Sequence, residues 1–178
     1  MDDYSPLTLP MIKGAFISTC GVYRRRLCRV WNIYLPHLPV IMLNPSTADE
    51  KRDDPTIRRL IGFAKREGYG GIWVDSLNDF RATDPKNMMA AGKEACSEAN
   101  RNLLASILEG RYKEILCGWG ALGNWNGMAD TFSDWARRTE TPLRCLGMTA
   151  RGMPKHPLCV KGDQPFIPYT GGVTGSPR

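Results

Sequence analysis

The chain has 178 residues, 42% of them hydrophobic, and carries 24 Lys and Arg against 18 Asp and Glu, for a formal charge of +6 and a pI near 9.1. The length suits one domain with a core of its own, and no apolar run approaches the roughly 20 residues a membrane helix needs. The acidic start Met1-Asp2-Asp3-Tyr4-Ser5-Pro6 lacks a signal-peptide pattern, so a cytoplasmic monomer (host cytoplasm if phage-encoded) is expected, with no membrane partner.

In chain order, residues 14–34 read as two strands around a turn at Cys20-Gly21, with large apolar side chains at Phe16, Tyr23, Leu27 and Trp31. The basic residues between them are expected to face solvent. Residues 38–43 are a short continuous apolar run, as in a buried strand. Asp54-Pro55-Thr56 supplies a capping residue followed by Pro at the first helical position. Ile57, Leu60, Ile61 and Ala64 then recur at helical spacing until Gly68 and Gly70-Gly71 end the helix.

Residues 72–74 form a second buried strand running into the polar segment Asp75-Ser76-Leu77-Asn78-Asp79-Phe80-Arg81. Asp84-Pro85 opens a looser helical stretch. A better helix covers about residues 95–109. A third strand at 114–119 ends in Gly120-Ala121-Leu122-Gly123, a helix follows at 127–138, and a fourth strand at 142–146 leads into Pro154-Lys155-His156-Pro157-Leu158. The tail from Gly171 is rich in Gly, Ser and Pro and is expected to be disordered, leaving one domain over residues 1–170 and a flexible tail over 171–178. Alternating strands and helices predict a three-layer α/β/α domain with a mostly parallel central sheet, preceded by an N-terminal β-hairpin.

Parallel connections place the loops after all four buried strands at one edge of the sheet, where open α/β sheets bind their ligands. The first loop carries Asn44, Pro45, Ser46, Thr47 and Asp49; the second Asp75, Ser76, Asn78, Phe80 and Arg81; the third Trp119; the fourth Arg151, Lys155 and His156. An Asn beside a tight Pro-Ser turn can position a water, and a His between prolines can donate to a developing anion. That pairing points to hydrolysis, with Asn44 and His156 as the catalytic candidates and the other residues of the first three loops as substrate contacts. Arg24, Arg25, Arg26, Arg151 and Lys155 are candidates for nucleic-acid backbone contacts. Each residue also has a structural reading: Asn44-Pro45-Ser46 as a turn, Asp49, Asp53 and Asp54 as capping groups, His156 as a surface histidine, Trp119 as core, and the arginines as a solvated strand face.

GxxxxGK[ST], GxGxxG and GxSxG are all absent, and His37 and His156 are the only histidines, so no multi-histidine metal site can form. The six cysteines contain no CxxC pair. Cys117 and Cys145 lie in apolar runs and read as buried small hydrophobes, and reduced, metal-free thiols are expected throughout.

An apolar strand ending in Asn-Pro-Ser and a late His-Pro loop resemble the two signature motifs of the uracil-DNA glycosylase superfamily, Gly-x-Asp/Asn-Pro and His-Pro-Ser. Met42 stands where those enzymes usually have Gly, Leu158 replaces the Ser, and no cysteine set matches their iron–sulfur members. More closely, Cys-Gly-x-Tyr-Arg, Leu-Asn-Pro-Ser-Thr-Ala-Asp, Asp-Pro-Thr, Arg-Ala-Thr-Asp-Pro and Trp-Gly resemble an uncharacterised family of bacterial and phage proteins, domain of unknown function 1643, over roughly residues 14–165. The glycosylase resemblance implies a uracil-DNA-glycosylase-like fold and an N-glycosidic hydrolase acting on a modified or damaged base in DNA modification or repair, with no cofactor. In that picture Asn44 orients the attacking water, His156 stabilises the departing base, Asp75, Ser76 or Asn78 reads its edge, and Trp119 or Phe80 stacks on it. The partner is nucleic acid, DNA before RNA, or a nucleotide. The alternatives are a non-catalytic nucleic-acid or nucleotide-binding module of the same fold and a nucleoside- or nucleotide-processing enzyme.

Overall fold

A computed structural model of the protein describes residues 10–110 and 112–171. The tail expected to be disordered therefore lies, apart from Gly171, outside the described residues, as do residues 1–9.

Strands β1 (Ile12–Ile17) and β2 (Arg24–Val30) form the expected antiparallel hairpin. Strand β3 (His37–Met42) is followed by helix α1 (Pro55–Arg66), where the Asp54 carboxylate accepts the Ile57 amide at 2.8 Å and Gly68, at φ 80°, turns the chain away. Strand β4 (Gly71–Ser76) leads to α2 (Pro85–Ala90), capped by Asp84, and α3 (Glu98–Glu109), capped by Ser97. Strand β5 (Ile115–Cys117), helix α4 (Met128–Arg138) and strand β6 (Leu143–Cys145) complete the expected set. A two-residue strand, β7 (Ile167–Pro168), was not legible as a run.

All seven strands join one sheet in the order β1-β2-β4-β3-β5-β6-β7. The expectation of a mostly parallel sheet needs correcting, because the sheet is mixed. Strands β4, β3, β5 and β6 are mutually parallel, but β1 with β2, β2 with β4, and β6 with β7 pair antiparallel. The continuous apolar runs mark only the four central strands, since those are covered on both faces. The flanking strands are polar or too short to show a period.

The sheet separates two buried clusters. Leu38, Val40 and Met42 of β3 pack with Ile57, Leu60 and Phe63 of α1. Ile41 and Leu43 pack on the other face with Leu104 and Ile107 of α3 and Phe132 of α4. Each fully buried side chain of this size contributes roughly 1.5–3 kcal/mol, so the alternation along β3 fixes its register. Cys117 and Cys145 face each other across β5 and β6, fully buried, in the role expected of them.

The basic residues of β2 do not all face solvent as expected. Arg29 is fully buried and donates to Asp53 Oδ1 at 2.6 Å and to the Asp49 carbonyl at 2.6 Å, tying the loop before α1 to the sheet. Arg24 is 4% exposed. Its burial follows from a break in register: Phe16 pairs with Arg26, but Ile17 pairs with Arg24, which leaves Arg25 as the extra residue of a β-bulge. Without the bulge, Arg25 would share a sheet face with Leu27 and Arg29. With it, Arg24 takes that place, and Arg25 joins Arg26 in a groove against α3.

Candidate functional site

From β3 the chain moves through α1 to β4 on one side, and later places β5 on β3's other side. The crevice outside the carboxyl ends of β3 and β5 is therefore a topological switch point, the place where such sheets bind ligands. A cavity of about 480 Å³ opens there. Asn44 and Ser46 enter it from the end of β3, Trp119 and Gly120 from the end of β5, His156 from the loop after β6, and Asp54 from the start of α1.

Two glycines allow the His loop to come this close. A Cβ on Gly118 would meet Met42 Sδ at 3.0 Å and Pro157 Cδ at 3.2 Å. Gly120 adopts φ 76°, a conformation that suits glycine, and its amide donates to the Pro154 carbonyl at 2.9 Å. The Lys155 amide donates to the Gly147 carbonyl at 2.8 Å. His156 is thereby held against the end of β5 by backbone bonds on both sides.

The Asn44 side chain spends both amide hydrogens on the protein. Nδ2 donates to the Ala82 carbonyl at 2.8 Å and to the Pro45 carbonyl at 3.0 Å. The Pro45 carbonyl also accepts the Ala82 amide at 2.9 Å, so the 44–46 turn and the segment after Arg81 brace each other. Among the described residues Asn44 Oδ1 has no hydrogen-bond partner, on a side chain that lines the cavity. His156 is the converse. Its Nδ1 accepts the Leu158 amide at 3.3 Å, which leaves the proton of the neutral ring on Nε2 as a donor. Burial lowers the imidazole pKa below its ordinary value, against the opposing influence of Asp54, so the neutral ring prevails at neutral pH. The cavity thus offers an oriented acceptor and a neutral donor.

The other residues singled out by sequence separate into two groups. Ser46, Trp119 and Arg24 line the cavity with Asn44 and His156. Trp119 is 1% exposed and packs edge-on against Phe132 and Tyr169, so it is both core and wall. The second loop goes elsewhere. Asp75 is buried on the opposite face of β4, held by a two-pronged bond from Arg26 with its shortest contact at 2.9 Å. Burial raises its carboxyl to about 6 in spite of that partner; the fork geometry keeps the pair ionised at neutral pH. Ser76 is buried, and its carbonyl accepts the Asn100 side chain. Asn78 is buried and accepts from Asn126 Nδ2 at 2.6 Å, and Phe80 packs edge-on against Tyr23.

Pro45 is buried behind the turn, Thr47 is exposed, and Arg81 donates to the Gly21 carbonyl at 3.1 Å. Asp49 accepts the amides of Lys51 and Arg52 at 2.8 Å each, and these bonds lower its carboxyl pKa. Of the arginines assigned to a nucleic-acid backbone, Arg24 is inside the cavity and Arg26 is paired with Asp75, whereas Arg25 is half-buried against Phe16. Arg151 and Lys155 are exposed on the His156 loop.

Sequence reasoning missed the cavity's remaining wall, formed by Thr56 and Ile57 of α1, Ala82 and Thr83, and Ala121 and Leu122. The Arg-Ala-Thr-Asp-Pro segment was visible as a motif, but nothing in it signals that its backbone braces Asn44. Among the described residues, no three or more His, Cys, Asp or Glu side chains converge as a metal site.

One family model, described as a protein of unknown function (DUF1643), matches residues 24–158, a span that runs from the first residue of β2 to the wall of this cavity. Neither a curated protein nor a solved structure matches the chain.

Proposed function

The chain belongs to the DUF1643 family, and we propose that it is a DNA glycosylase-like hydrolase that removes a modified or damaged base, working in the cytoplasm as a cofactor-free monomer in bacterial or phage DNA modification or repair. The observation that carries this reading is the polarity of the pair on the cavity wall: an unpaired acceptor at Asn44 Oδ1 and a neutral donor at His156 Nε2. Their place after the first central strand and in a late His-Pro loop supports a likeness to the uracil-DNA glycosylase fold.

In this reading the target base leaves the stack and enters the cavity. A water held by Asn44 Oδ1 attacks the sugar's anomeric carbon. The carbon–oxygen bond forms as the glycosidic carbon–nitrogen bond breaks, the bonding pair departs with the base, and the proton shed by the water ends on that base, leaving a neutral base and an abasic hemiacetal. His156 Nε2–H donates to the oxygen or nitrogen on which that charge gathers; such a preorganised donor is worth roughly 3–4 kcal/mol of barrier. Trp119 and Leu122 supply the apolar wall that excludes bulk water. Mass spectrometry of bases released from DNA carrying varied natural modifications is the test. Release of one base type, leaving an abasic site, is expected; intact DNA across the whole panel would refute the reading.

A further inference from the structure

Four arginines of β2 are drawn wholly or partly into the protein, and three of them find carboxylates there, Arg25 lying 3.9 Å from Asp79 Oδ2. Arg26 forks onto Asp75 and Arg29 donates to Asp53 Oδ1. Arg24, almost completely buried, has no such partner. Its one side-chain hydrogen bond among the described residues runs from Nη1 to the Ala48 carbonyl at 2.7 Å, and no carboxylate lies within salt-bridge reach of it. Nε and Nη2 are left over, on a side chain that lines the cavity. Burial lowers its pKa to about 10, which still leaves it charged at neutral pH.

A buried cation is ordinarily paired. The protein meets that rule at Arg26 and Arg29 and leaves it open at the one arginine that faces the site. The surroundings favour an anion further. The 12-residue helix α1 directs its N-terminal turn, with Thr56 and Ile57, at the same cavity, and the amide dipoles there carry partial positive charge. The acid on the wall, Asp54, caps the Ile57 amide and favours the Arg24 charge only from beyond salt-bridge reach. The neutral form of His156 adds no charge of its own.

We propose that the ligand of this cavity carries an oxyanion, a carboxylate or a phosphate, that pairs with the free face of the Arg24 guanidinium. This rests on reading the cavity as the place where a base or nucleotide is held, and it narrows the substrate class from neutral bases to acidic ones. A guanidinium fork matches either oxyanion with two parallel hydrogen bonds. The charge comes from one of two sources: an acidic substituent on the base, or the phosphate of a nucleotide.

Calorimetry on the full chain tests this with five probes. These are uncharged deoxyuridine, 5-carboxydeoxyuridine, deoxyuridine 5′-monophosphate, inorganic phosphate and acetate. At least one oxyanion-bearing nucleoside should bind tenfold or more tighter than deoxyuridine. A preference for the carboxylated base over the monophosphate, matched by acetate over phosphate, identifies an acidic base, and the reverse order identifies a nucleotide. Arg24→Gln should abolish the preference and Arg24→Lys should keep part of it, while Arg25→Gln, on the other face of the strand, should leave it intact. Equal or absent binding of the charged probes by the wild-type protein would overturn the proposal, whether or not Arg24→Gln folds. Charge preference without base release from any DNA would sink the hydrolytic reading and leave this one standing. Base release without charge preference would do the opposite.

Discussion

Asn44 and His156 differ in what their loss should reveal. Asn44 contributes one acceptor to the cavity and two donors to the backbone around it, so Asn44→Ala removes both the water's anchor and a brace between two loops. His156 contributes one donor and accepts one amide. If they act on the reacting bond, either alanine variant lowers turnover on the identified substrate on the order of a hundredfold or more, with DNA affinity nearly unchanged. Full activity in both variants would dismiss the pair as catalytic, and thermal unfolding of each variant separates lost chemistry from a lost brace. The His156 ring also leaves a mark on stability. Its pKa is lowered on folding, so the unfolded chain takes up the proton more readily. The stabilisation is present above about pH 6.5 and is lost as pH falls towards the folded value. Asp75, raised to about 6, runs the other way, favouring the fold as pH falls from there towards 4. Subtracting the melting curve of His156→Gln from that of the wild type isolates the histidine: the wild type should lose more stability than the variant as pH falls below about 6.5. Parallel curves would show that the ring is as free to protonate in the fold as outside it.

At the scale of the element, the hairpin determines which arginine faces the cavity. A straight strand alternates strictly, so Arg24 and Arg26 would share one face and Arg25 would take the other. The bulge at Arg25 reverses both, placing Arg25 beside Arg26 and turning Arg24 to the cavity. Inserting one residue between Phe16 and Ile17, opposite Arg25, should restore plain alternation, turn Arg24 towards α3 and remove any preference of the cavity for charged ligands, while the four parallel strands stay paired. An insertion variant that keeps the preference would show that the bulge does not aim this side chain. The same feature limits what the sequence discloses. The four central strands and the helices between them are written in apolar runs and in caps such as Asp54-Pro55, and the loops carrying Asn44 and His156 follow from their order. The inward turn of Arg24 depends on one unpaired residue in Arg24-Arg25-Arg26, where every position has the same charge. The path of Asp75 likewise depends on Arg26 arriving from a neighbouring strand, and no local pattern encodes that.

For the molecule as a whole, much of the positive charge is already engaged. Arg26, Arg29 and Arg144 pair with Asp75, Asp53 and Glu114, and Arg59 and Arg66 donate to backbone carbonyls of residues 160–164. Each ion pair leaves the formal charge of +6 unchanged, but the 24 Lys and Arg overstate the cations free to reach a polyanion. The exposed Arg151 and Lys155 beside the cavity are better placed than the β2 cluster. DNA binding should fall by orders of magnitude between about 50 and 200 mM salt if several phosphates are held, and Arg151→Gln or Lys155→Gln should each reduce the salt slope by about one. Titration at several salt concentrations measures both; a slope unmoved by either substitution places the DNA elsewhere.

The bulge also bears on how far this protein can be trimmed. Strand β1 touches nothing in the cavity, and a chain shortened to begin at Arg24 would still contain every residue of its wall. That chain would lose the strand against which Arg25 bulges out of register, leaving Arg24 positioned by its backbone bond to the Asp79 carbonyl and its guanidinium bond to the Ala48 carbonyl. It would also turn β2 into a bare sheet edge, an invitation for a second copy to add its own strand. The segment that looks most dispensable is the one that covers the basic strand β2 and holds its bulge in place.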